Sequence, residues 1–168
     1  MRPLKFGVRV HNKEKATDGF TLYSPLWDKK TSLINMDGEV MHEWDLPSTP
    51  GGYARLLKNG NLFYAATTEG GPPFKGGAKG GLMREVDWDN NILIEYRDDW
   101  QHHDLRRLDN GNILYAGWEI MPEEAAKKVR GGIPGTETPE GIVGDFIKEV
   151  TPGGELVWEW HAHSDMNI

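Results

Sequence analysis

The stretch "DLRRLDNGNILYA", residues 104–116, decides the fold because the chain carries it twice: "YARLLKNGNLFYA" stands at 53–65. Arg, Leu, Asn-Gly-Asn, Tyr and Ala coincide at an offset of 51 residues. Each copy reads as strand, turn, strand, with Asn-Gly supplying the two positive-φ residues of a tight hairpin. A second element recurs three times: "INMDGEVMHEW" (34–44), "VDWDNNILIEY" (86–96) and "VTPGGELVWEW" (150–160). Each is an apolar strand, a turn containing Asp, Asn or Gly, then an alternating strand ending in an aromatic residue. Repeats of this length with four short strands each are the signature of β-propeller blades.

The expected fold is therefore all-β, a β-propeller to which this chain supplies about three four-stranded blades. Blade one takes residues 5–46, with strands near 5–11, 19–24, 30–36 and 39–46. Blade two takes 53–97 and blade three 102–161. Blade three carries an insertion at 121–141, in which "MPEEAAKKV" (121–129) is a helix signal. There Pro122 suits a first turn, and Glu123–Lys127 and Glu124–Lys128 are i,i+4 pairs. Three blades do not close a ring. The rest is expected from another chain, a second copy or further residues, because an open propeller exposes apolar blade faces.

A formal charge of −7 argues against a nucleic-acid partner, since phosphate contacts need a basic face. The chain has no cysteine, so disulfides and thiolate metal sites are excluded. No apolar run reaches membrane-span length, and "MRPLKFGVRVHNKEKATDG" lacks the apolar centre of a signal peptide. The expected location is cytoplasmic, or periplasmic if a leader has been removed, with no membrane partner.

Self-comparison separates scaffold from function. Asn59-Gly60-Asn61 and Asn110-Gly111-Asn112 repeat, so they serve the turn. His102 and His103 do not repeat: blade two has Gly51 and Gly52 there. The first strand of a blade lines the propeller channel, so the histidine pair stands where a ligand site opens. Asp104 and Arg106 alternate onto the side of His102. Arg106 suits an anionic substrate or, like Arg55 at the equivalent place, an inter-blade ion pair. Trp118 and Glu119 lead into the insertion, a lid candidate, and Trp118 is a candidate substrate contact. The glycine-rich loop 69–82 offers Lys75 and Lys79 to an oxyanion, or is a plain connection; it lacks a P-loop ending. In "WEWHAHSD" (158–165), His161 and His163 have a spacing that a zinc site can use. His11 and His42 read as structural.

The segments "DGEVMHEWDLP", "HHDLRRLDNGNILYAGWE" and "TPGGELVWEWHAHSDM" resemble the arylsulfotransferase (aryl-sulfate sulfotransferase) family of bacterial β-propellers. The resemblance covers most of residues 18–168 and implies the N-terminal half of a six-bladed ring. It implies sulfuryl transfer from an aryl sulfate to a phenol through a transient sulfohistidine, with no cofactor. By that resemblance His102 or His103 corresponds to the channel histidine and Arg106 to a sulfate contact; the substrates are small aromatic or anionic molecules. An alternative reading is a metal-dependent propeller lyase or hydrolase, with His102, His103 and His163 on a divalent ion. A third is a propeller that binds a ligand without catalysis.

Overall fold

In the computed structural model, residues 8–72, 77–131, 133 and 139–165 are described. Strands take up 47% of the described residues, in three antiparallel sheets, so the all-β expectation holds. The first sheet has three strands, β1 (Thr21–Tyr23), β2 (Lys30–Ile34) and β3 (Val40–Asp45), in that order. The second runs β4 (Pro50–Leu56), β5 (Leu62–Thr67), β6 (Gly81–Val86) and β7 (Ile92–Arg97). The third runs β8 (Gln101–Arg107), β9 (Ile113–Ile120), β10 (Val143–Val150) and β11 (Leu156–His161). The strand expected near 5–11 is not formed over residues 8–11, and the rest of that stretch lies outside the described residues. The helix signal yields a single turn, α1 (Glu123–Ala126), in which Lys127 pairs with Glu123 and Glu124. A second short turn, α2 (Ala162–Asp165), follows β11. No helix among the described residues is long and apolar enough to cross a membrane.

Alternation within the strands gives each sheet two faces, and apolar faces of neighbouring sheets meet. Leu33 and Trp44 of the first sheet pack on Leu62, Tyr64 and Val86 of the second. The other face of the second sheet, Phe63, Ala65 and Met83, packs on Leu105, Ile113, Tyr115, Phe146 and Val150 of the third. Burying a side chain of this size is worth about 1.5–3 kcal/mol. Gly117 is obligatory here, since a Cβ would lie 2.2 Å from the Phe146 ring.

The Asn-Gly hairpins differ from expectation. Only Gly60 and Gly111 have positive φ; Asn59 and Asn110 do not. Gly60 N–H bonds the Leu57 carbonyl and Leu57 N–H the Asn61 carbonyl, a type I turn closed by a glycine bulge rather than a two-residue turn. The asparagines are spent differently. Asn59 Oδ1 accepts the Asn61 N–H, while the side-chain amides of Asn59 and Asn61 donate to Glu85 on β6. Asn110 and Asn112 repeat this arrangement on Glu149 of β10. Glu85 also takes Arg107 Nε of the next sheet at 2.9 Å, a buried ion pair between sheets. Burial works to raise the Glu85 pKa, but the bonds from Asn61, Arg107 and Asn59 outweigh it and hold the carboxyl below its ordinary range.

Candidate functional site

The start of β8 departs from regular strand. Gln101 pairs with Gly117 and Leu105 with Tyr115, so four steps on β8 face two on β9. The same bulge lies in β4, between Pro50 and Ala54. In β4 the left-handed residue of the bulge is Gly52, at φ +86°; in β8 the equivalent residue is His103, at φ +50°. A side chain at positive φ is strained, and glycine is the ordinary solution. Here the backbone keeps the strained geometry and holds a histidine in it, with His103 N–H bonded to the Ala78 carbonyl at 2.8 Å.

Three side chains converge at this bulge. His102 is buried, with Nδ1 2.9 Å from His103 Nδ1 and Nε2 3.1 Å from Asp145 Oδ1. Its ring stacks on Trp118 with centroids 4.1 Å apart. His103 is exposed, and its Nε2 has no hydrogen-bond partner among the described residues. Burial pushes the His102 pKa below the ordinary histidine value, against the opposing pull of Asp145. A neutral His102 that donates Nε2–H to Asp145 has its Nδ1 lone pair free to accept Nδ1–H from His103. His103 Nε2 is then left as an exposed lone pair.

Sequence reasoning missed Asp145, although the repeat carries its signal. Strand register equates Asp145 with Gly81, as it equates His102 and His103 with Gly51 and Gly52. Three glycines of the second sheet are thus replaced by the three linked side chains of the third. In the second sheet neighbouring atoms fill the space: a Cβ on Gly51 would lie 2.5 Å from Gly80 Cα, and one on Gly81 2.2 Å from Thr68 Oγ1.

The remaining candidates fall elsewhere. Arg106 Nη1 donates to Asp104 Oδ1 at 2.6 Å and to the Tyr53 hydroxyl at 2.8 Å, so its polar contacts bridge its own strand and β4. Lys79 Nζ donates to the Thr68 carbonyl and hydroxyl, and burial lowers its pKa. Its backbone forms a bridge with His102. The 77–80 end of the glycine-rich loop therefore braces the bulge through the main chain. Lys75 lies outside the described residues. His163 does not join His102 and His103; it meets His161 and Glu119 instead, with ligand atoms within 4.8 Å of one another. The metal set His102, His103 and His163 is thus not assembled, because α2 turns His163 back over His161 and Glu119. Trp118 and Glu119 are successive residues of β9 and point to opposite faces, which keeps the two clusters apart.

No protein-family model matches this sequence, and no match is found among curated proteins.

Proposed function

We propose that the three sheets are consecutive blades of a β-propeller and that Asp145, His102 and His103 form a nucleophilic centre for sulfuryl transfer between small aromatic substrates. The observation that carries this reading is His103 at φ +50°, where the repeat elsewhere has glycine. Strain retained at an exposed residue, with a buried base and a carboxylate behind it, is the pattern of an activated nucleophile. The resemblance to arylsulfotransferases supplies the reaction class.

In that reaction His103 Nε2 attacks the sulfur of an aryl sulfate. The N–S bond forms as the S–O bond to the ring breaks, and the phenolate leaves with its electron pair. The charge formed on His103 is relieved when its Nδ1 proton shifts to His102 Nδ1, and Asp145 stabilises the resulting imidazolium. An acceptor phenolate then attacks sulfur, the N–S electrons return to Nε2, and His102 returns the proton to His103. The acceptor's proton replaces the one the departing phenolate takes from solvent. Trp118, stacked on His102, offers an aromatic surface beside the reacting group.

The ring reading is supported by the uncovered face of the third sheet. Its Leu114, Ala116, Ile147 and Glu149 are equivalent to Phe63, Ala65, Met83 and Glu85, which the next sheet buries. Leu114, Ala116 and Ile147 line a shallow groove of about 160 Å³. Glu149 sits in its two asparagine amides with no cation among the described residues, where Glu85 has Arg107. The occupant inferred is a further sheet of the same repeat with an arginine at the place of Arg107.

The test is turnover of 4-nitrophenyl sulfate with phenol as acceptor. Wild type is expected to release 4-nitrophenolate, and His103→Gly and His102→Ala to lose this by at least a hundredfold. An inactive wild type, or a fully active His103→Gly, overturns the reading.

A further inference from the structure

The second cluster, on the opposite face of the third sheet, belongs to neither the nucleophilic centre nor the core. Glu119 stands at the end of β9, His161 at the end of β11 and His163 in α2, all three partly buried. His161 Nδ1 lies 2.8 Å from Glu119 Oε2, and His163 Nε2 lies 3.4 Å from Glu119 Oε1. Ligands about 2.0–2.1 Å from a zinc ion at tetrahedral angles are about 3.3 Å from one another, close to these separations.

The surroundings are arranged as they are around bound metals. His161 Nε2 is 3.2 Å from Glu159 Oε2, so the nitrogen turned away from the cluster meets a carboxylate that fixes the ring and raises its basicity as a ligand. Asp165 Oδ2 accepts the His161 N–H at 2.8 Å and the Ser164 hydroxyl at 3.0 Å, closing α2 back onto β11. That closure sets the His163 ring 5.4 Å from the His161 ring. The carboxylates of Glu119, Glu159 and Asp165 lie around the two imidazoles.

We propose that Glu119, His161 and His163 bind a divalent transition-metal ion, zinc being the best match to two imidazoles and a carboxylate. His161 Nδ1, His163 Nε2 and a Glu119 oxygen are the protein ligands. At least one further coordination position is left for water or a substrate oxygen. Glu159 is a positioning residue that acts through His161.

Isothermal titration of the chelator-treated full chain with zinc chloride tests this without reference to activity. Wild type is expected to take up one equivalent with a Kd below about 1 μM, and zinc should raise its Tm. His163→Ala and Glu119→Gln should weaken binding more than a hundredfold and abolish the Tm rise. Glu159→Gln should weaken it about tenfold. His11→Ala, at a partly buried histidine outside the cluster, should bind as wild type does. Thermal unfolding without zinc checks that His163→Ala still folds. Absence of saturable binding in wild type overturns the proposal. Binding unchanged in both His163→Ala and Glu119→Gln overturns it as well.

Discussion

Replacing His103 by glycine and by alanine separates backbone strain from side-chain chemistry. Both variants lose the His102–His103 hydrogen bond, so that loss cancels when the two are compared. In a regular strand alanine is the more stable by about 0.5–1 kcal/mol, because glycine has more freedom to lose on folding. At φ +50° the order reverses: the Cβ of alanine costs about 1–2 kcal/mol that glycine does not carry. The net expectation is that His103→Gly is more stable than His103→Ala by about 1 kcal/mol. For a chain of this length that is about 2–4 °C in Tm. The assay is thermal unfolding followed by near-ultraviolet circular dichroism, to which the seven tryptophans give a strong signal. Equal stability, or alanine above glycine, would refute the claim that the bulge imposes a glycine conformation on a histidine.

Other outcomes follow from the packing. Arg107→Leu leaves Glu85 buried without its cation and is expected to cost about 2–3 kcal/mol in chemical denaturation, less than a bare buried charge because both asparagines remain. The Glu85 pKa is depressed, so its contribution is fully present above the ordinary carboxylate range and lost as pH falls through the lowered value. Glu85→Gln should remove that acid limb. Gly117→Ala drives a Cβ into the Phe146 ring and is expected to cost about 1–3 kcal/mol by the same measurement. For His102 the folded pKa is also depressed, but the group is a base. As pH drops below the ordinary histidine range the unfolded chain takes up a proton that the native site refuses, so stability falls. Stability of wild type minus that of His102→Gln, measured across pH 4–8, should therefore rise with pH.

The strands were legible because period-2 alternation and the 51-residue offset both express burial, and burial dominates these sheets. The histidine pair was legible for the opposite reason: it breaks the repeat where glycine is expected. Asp145 obeys the same logic against Gly81, but that equivalence emerges only from strand register, since the insertion changes the offset. The turn type was misread because Asn59 and Asn110 serve the sheet's third strand through their amides, a tertiary role that local Asn-Gly preference does not encode. Glu119 and His161 are 42 residues apart, joined across the sheet by β10, and no sequence spacing links them. Lys79 looked available to an anion because its sequence context is glycine-rich; in the fold Thr68 takes its ammonium.

The most direct measurement is to mix the chain with 4-nitrophenyl sulfate in the absence of acceptor, quench in base and map the modified peptide by mass spectrometry. The expected result is one sulfuryl group on His103, absent from His103→Gly and reduced in Asp145→Asn. Failure of wild type to gain a sulfuryl group, or a label that persists in His103→Gly, would contradict the assignment of His103 as the nucleophile.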